Sequence, residues 1–144
     1  MATYRLTIPG VPIGQPRPRA MAFGGRARVY NPKHPVDAYK AAVAFAAQQA
    51  GVPVTDGPVV VHVTAYFPYP KSTPKKHLID LRWHTKKPDA DNIAKAVLDA
   101  LSCWRDDSQV AALVVWKRFT TGEPLTEVVL SMGDADGTAA DTQE

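Results

Sequence analysis

Cysteine is almost missing from this chain: Cys103 is the single example in 144 residues. A lone thiol excludes an intrachain disulfide and a cysteine-rich zinc site, and it suits a reducing compartment, so a cytoplasmic location is expected. Histidine is scarce as well. His34, His62, His77 and His84 are scattered without metal-ligand spacing and read as ordinary surface or strand residues. No uninterrupted apolar run has the length of a membrane span, and Met1-Ala2-Thr3-Tyr4-Arg5 has no signal-peptide core, so no membrane association is expected. Internal repeats are also lacking. The 45% apolar content suffices for one core but is small for two, which predicts a single domain over residues 1–132.

Basic residues are missing from residues 133–144, which carry Asp134, Asp136, Asp141 and Glu144. This stretch has no core material and reads as an acidic, disordered tail. With +3 on the whole chain and −4 on the tail, the remainder carries a formal +7. Two stretches concentrate that charge. One holds Arg17, Arg19, Arg26, Arg28 and Lys33; the other holds Lys71, Lys75, Lys76, Arg82, Lys86 and Lys87. Solvated loops use such runs freely, but their density suits a phosphate backbone. Arg17, Arg19, Arg26, Lys86 and Lys87 are the expected DNA contacts.

Alternation predicts a strand over Thr3 to Pro9. Gly10 to Pro35, rich in Gly, Pro and Arg with no sustained period, reads as a long loop. Alanine-rich Val36 to Ala50 has helical spacing, and Gly51 stops it. In Val59 to Phe67, Val59, Val61, Val63, Ala65 and Phe67 share one strand face. Lys71 to Lys87 reads as a mobile basic loop, with Leu81-Arg82-Trp83 able to form a short strand. A helix begins at Asp89 or Asp91 and runs through Leu101 on the apolar stripe Ile93, Val97, Leu98 and Leu101. Val110 to Phe119 and Leu125 to Met132 read as strands, with Thr121-Gly122-Glu123-Pro124 as a hairpin turn between them. The expected fold is α+β: a single small domain with a mixed sheet of about four strands packed with two main helices.

The chemistry concentrates in Asp89-Ala90-Asp91-Asn92-Ile93-Ala94-Lys95 and, after the apolar helix, Asp106-Asp107. Two aspartates at a helix mouth can aim at one point only if Asp89 lies before the first regular turn. Lys95 lies four residues after Asp91, on the same helical face. There an ammonium can neutralise charge on a phosphorane or protonate a leaving oxygen. Asp99 continues that face as a pairing partner for Lys95. Of Asp106 and Asp107, strand alternation sends one into the site and the other to solvent or a backbone amide, so Asp106 is an auxiliary candidate. Each aspartate pair alone is a weak signal, because caps and turns also use aspartate. Together with Asn92 and Lys95, they have the composition of a Mg²⁺-dependent nuclease.

The run Asp89-Ala90-Asp91-Asn92-Ile93-Ala94-Lys95-Ala96-Val97-Leu98-Asp99-Ala100-Leu101, followed by Trp104-Arg105-Asp106-Asp107-Ser108-Gln109-Val110, resembles the signature of RusA-type Holliday junction resolvases. Weaker similarity extends to Ile8-Pro9-Gly10-Val11-Pro12 and to Glu127 to Gly133. The resemblance implies a small α+β homodimer that binds four-way DNA junctions and nicks two opposing strands with Mg²⁺, or Mn²⁺ as a substitute. By position, Asp89, Asp91 and Asp107 match the family's catalytic, metal-holding carboxylates and Lys95 its essential lysine. The connection Ser102 to Arg105 is shorter than the family form, and Pro88 stands where that form has arginine, leaving Lys86 and Lys87 or Arg105 to supply charge.

Three rival readings differ in class: a nuclease of the same chemistry acting on flaps or forks, a DNA-binding module without catalysis, and a small-molecule phosphohydrolase or glycosyltransferase using Asp-x-Asp. Metal-dependent cleavage separates the first from the second. The third usually places its motif at a strand end, whereas here it opens a helix behind a basic loop. Trp83, Trp104 and Trp116 read as core or interface residues, with a junction wedge as the alternative.

Overall fold

The most apolar strand takes the centre of the sheet. In β4 (Val59–Pro68) the alternate residues Val59, Val61, Val63 and Ala65 are fully buried and Phe67 nearly so, which matches the face read from the sequence. Each such valine contributes about 1.5–3 kcal/mol through removal from water. The computed structural model describes residues 1–16 and 34–134, together with the backbones of two strands, β2 (Arg19–Phe23) and β3 (Arg26–Tyr30). Residues 135–144, which make up most of the expected tail, lie outside the described residues.

β1 (Ala2–Pro9), β5 (Val110–Thr120) and β6 (Leu125–Met132) complete a four-stranded mixed sheet in the order β1-β6-β4-β5. α1 (Val36–Gln49) and α2 (Ala90–Ala100) cover one face, joining Val43, Ile93, Ala96 and Val97 to Leu6, Ile8 and Leu130 in one core. The fold is therefore α+β with four sheet strands and two main helices. Gly51, with φ of +69°, follows α1, and the left-handed backbone there favours glycine.

Two expectations about pairing are corrected. β5 and β6 do not form a hairpin: β4 lies between them, parallel to β5 and antiparallel to β6. The physical reason is that β4 needs both edges paired and its apolar face covered. α2 therefore serves as the crossover of a β4-α2-β5 unit, while residues 121–124 carry the chain past β4. β5 ends the sheet, and its outer edge is taken up by residues 81–84. Gly10 to Pro35 is not wholly loop either, because β2 and β3 pair antiparallel within it. Short strands interrupted by Arg and Gly give no alternation long enough to read.

The basic segment 71–87 is pinned along β5 rather than loose. A 3₁₀ turn spans Lys75–His77, the Leu81 amide donates to Phe119 O (2.9 Å), Phe119 N donates to Arg82 O (2.7 Å), and His84 N donates to Lys117 O (3.0 Å). Trp83 forms an isolated antiparallel bridge with Arg118, so the short strand expected at Leu81-Arg82-Trp83 exists in reduced form.

Candidate active site

α2 positions the first carboxylates. Its buried stripe is Ile93, Ala94, Ala96 and Val97, so Asp91, Lys95 and Asp99 fall on the exposed opposite face. Asp89 occupies the N-cap position with extended backbone (φ −68°, ψ 150°), before the first regular turn. Its side chain makes no capping hydrogen bond, which leaves the carboxylate uncommitted to the helix end.

Asp106 and Asp107 do not stand on the strand itself. They open a 3₁₀ turn over Asp107–Gln109, in which the two side chains have different partners. Asp106 is its cap: Oδ1 accepts from Ser108 N (2.9 Å) and Ser108 Oγ (2.7 Å), and these bonds hold its carboxyl below the usual carboxylate range. Asp106 thus faces a backbone amide, one of the two outcomes expected for the member of the pair outside the site. Gln109 closes the box. Its Oε1 accepts from Arg105 N and Asp106 N, each at 2.9 Å, and its Nε2 donates to Thr55 O (2.8 Å) and Gly57 O (2.9 Å). The turn is thus moored to the segment leading into β4. Asp107 projects the other way, with Oδ1 accepting from the buried Trp104 indole at 3.1 Å.

Asp91, Lys95 and Asp107 line one depression of about 290 Å³, floored by Ala94, Leu98 and Leu113. Lys95 Nζ lies 3.5 Å from Asp99 Oδ2, the pairing read from the sequence, and Lys40 of α1 reaches the same oxygen at 3.6 Å. Asp89 lines a neighbouring cavity with Lys87 rather than this depression. Among the described residues no three carboxylate, histidine or cysteine side chains converge tightly enough to hold one metal ion. Mg²⁺, however, keeps several waters and takes one or two carboxylates beside substrate phosphate. Asp91 and Asp107 are hard oxygen donors with no thiolate or imidazole lining their depression, and that donor set fits Mg²⁺.

The expected basic contacts divide. Lys86 and Lys87 are exposed beside Asp89, Arg17 lies outside the described residues, and only the backbones of Arg19 and Arg26 are described. Arg105 is paired with Asp56, so it does not supply the charge missing at Pro88. Lys117, which the sequence reading does not single out, is closer to that role. Its Nζ donates to Lys86 O at 2.6 Å and feels the Asp89 charge, while burial holds its pKa below the usual lysine value. A signal for it exists: Lys117 falls in the alternating series Leu113, Val115, Lys117, Phe119, where a charged residue interrupts an apolar set.

Two comparisons with known proteins give matches over most of the chain. The family model described as Endodeoxyribonuclease RusA matches residues 9–131. An uncharacterized protein of Bacillus subtilis (strain 168), YqaN, is 35% identical over 138 residues, covering 90% of this chain and 96% of that protein.

Proposed function

The chain belongs to the RusA endodeoxyribonuclease family, and from that premise we propose that it is a Mg²⁺-dependent, structure-specific endonuclease that resolves four-way DNA junctions by paired symmetric nicks. The observation that carries this reading is the meeting of Asp91, Lys95 and Asp107 around one depression, with Asp89 at the adjoining start of α2. Asp91 and Asp107 would hold the cation, with Asp89 completing the acidic set when a phosphate enters, and Mn²⁺ would serve as a substitute. The chemistry supplied by the ion, when bound, is Lewis-acid stabilisation of charge on the phosphate oxygens. Lys95, exposed on the same helical face, neutralises negative charge in the transition state or donates a proton to the leaving oxygen. Lys86 and Lys87 hold the backbone phosphates nearby.

Symmetric cutting needs two sites related by a two-fold axis, so the functional unit is proposed to be a homodimer with one site per protomer. No helix among the described residues is long and apolar enough to cross a membrane. As a DNA-cutting enzyme it is proposed to work in the cytoplasm of a bacterial cell, whether encoded by the cell or by a phage.

The test is cleavage of an immobile four-way junction beside flap and fork substrates, with Mg²⁺, Mn²⁺ and EDTA. The expected result is metal-dependent nicking of two opposing strands of the junction at equivalent positions. Preferred cutting of flaps or forks would redirect the substrate assignment, and binding without cutting under any metal would reduce the protein to a DNA-binding module.

A further inference from the structure

The helix does not set the aim of Asp89, because its side chain makes no capping hydrogen bond at the start of α2. The segment that leads into it is held by β5 instead. Lys117 grips that segment with both backbone and side chain: its carbonyl accepts from His84 N at 3.0 Å, and its Nζ donates to Lys86 O at 2.6 Å. Two points shortly before Asp89 are thereby tied to a single residue of the sheet.

Packing alone does not call for a lysine in this place. Lys117 stands opposite the fully buried Ala65 of β4, and its neighbours on the same side of β5, Val115 and Phe119, pack against the core. Partial burial strips hydration from the ammonium and holds its pKa below the usual lysine value, so the charge is carried at a cost. A methionine would fill similar space without that cost. His84, packed between Phe67 and Phe119, brings no negative charge to offset it. What favours the charged form is Asp89, near enough for its carboxylate to oppose the effect of burial.

We propose that Lys117 is a positioning residue for Asp89: its ammonium ties down the segment before α2 and restrains the carboxylate that follows. Like charges on Asp89, Asp91 and Asp107 repel one another, and an unheld Asp89 would turn toward solvent. A positive charge beside it limits that freedom. Lys117 touches neither phosphate nor cation in this role and acts only through Asp89. The proposal rests on the nuclease reading above and adds to it a residue, outside the acidic motif, that sets the affinity of the site for its cation.

The test compares full-length wild type with Lys117→Met, which loses charge and donor, and with Lys117→Arg, which keeps both. Single-turnover junction cleavage is titrated with Mg²⁺, junction affinity is measured in EDTA, and melting reports the fold. Lys117→Met should need about tenfold more Mg²⁺ for half-maximal cutting while junction affinity changes less than about threefold, and Lys117→Arg should recover most of the shift. A readout that needs no cutting is Mn²⁺ affinity by electron paramagnetic resonance on protein bound to an uncut junction, in a Lys95→Ala background that slows cleavage. There Lys117→Met should weaken Mn²⁺ binding about tenfold, and Asp89→Asn should erase the difference between lysine and methionine. An unchanged Mg²⁺ midpoint and Mn²⁺ affinity in folded Lys117→Met, a shift that Lys117→Arg leaves in place, or an equal shift in the Asp89→Asn background overturns the proposal while leaving the nuclease assignment intact. Equal losses of rate and junction affinity also overturn it, making Lys117 a phosphate contact. If Lys117→Met does not fold, Lys117→Gln takes its place with the same expected shifts. If wild type cuts no DNA, the nuclease reading fails, and the Mn²⁺ comparison decides the role of Lys117 alone.

Discussion

The indole nitrogen of Trp104 donates to the Asp107 carboxylate at 3.1 Å, so a side chain buried in the core holds an acid that faces the solvent. Trp104 is itself anchored by a bridge to Thr55 beside β4, and the sheet thereby sets the aim of a carboxylate on a short turn.

Trp104→Phe tests that mooring, because it keeps most of the buried ring and removes only the donor. A hydrogen bond to a metal-holding carboxylate fixes its orientation, and losing one commonly costs about 10- to 100-fold in metal affinity. The expected outcome is a shift of the Mg²⁺ dependence of cleavage to about tenfold higher concentration with a small change in melting temperature. An unchanged Mg²⁺ titration would make the bond purely structural.

Asp91→Asn and Asp107→Asn preserve shape while removing the charge that attracts a cation. Each should lower junction cleavage about a hundredfold or more at saturating Mg²⁺ while leaving junction binding equal or tighter, since an anion has left a polyanion's site. Asp106→Asn should keep cutting, because asparagine still accepts from Ser108 and caps the turn. Single-turnover cleavage and electrophoretic mobility shift on the same DNA check all three. Near-normal cutting by Asp107→Asn would remove that residue from the metal set.

Most individual elements are legible in the amino-acid sequence, because their hydrophobic periods are long. β1, β4, β6 and both helices end within a residue or two of the sequence reading, and the alternation in β4 names its buried face correctly. What local pattern does not supply is partnership. The turn residues at 121–124 suit a hairpin locally, but the adjacency of β4 and β5 is decided by the α2 crossover and by burial of β4, which are properties of the whole sheet. In the site, spacing places Asp91 and Lys95 on one helix face. The choice between Asp106 and Asp107 depends on Gln109 and Ser108 bonding back to the turn, a feature that strand alternation does not contain.

Lys95 pairs with Asp99 at 3.5 Å on an exposed helix face, where such an ion pair adds little stability. Folding therefore has small need of this lysine. Lys95→Ala should leave melting nearly unchanged and reduce the single-turnover rate constant about a hundredfold, with a much smaller effect on junction affinity. Proportional loss of affinity and rate would instead assign Lys95 to phosphate positioning.

His84 is buried between Phe67, stacked at 3.9 Å, and Phe119, and its Nδ1 has no hydrogen-bond partner among the described residues. Burial, aided by the nearby Lys117 charge, holds its pKa below the usual histidine value. The folded state therefore binds this proton later than the unfolded state as pH falls. Its contribution is fully present above the unfolded pKa of about 6.5 and declines as pH falls through that value toward the folded one. His84→Phe keeps an aromatic ring in the stack and cannot titrate. Melting of wild type should drop relative to this variant between pH 7.5 and pH 5, while parallel melting curves across that range would show that His84 does not report its burial.

Tyr39 joins α1 to the sheet through one buried contact: its hydroxyl lies 2.6 Å from Thr126 Oγ1, and both residues are buried. Burial raises the tyrosine pKa, outweighing the opposing effect of Thr126, so the phenol stays neutral throughout the working pH range. Tyr39→Phe would leave the ring packed against Val43 and its neighbours but strand the threonine hydroxyl without its partner. The expected loss is about 1–3 kcal/mol of folding stability, the cost of one unsatisfied buried polar group. Thr126→Val in the same background removes the stranded hydroxyl at nearly constant volume and should recover much of that loss. Urea denaturation of the four proteins of this double-mutant cycle measures both effects. Additive losses in the double variant would show that the two hydroxyls do not depend on each other, and the contact would then contribute packing alone.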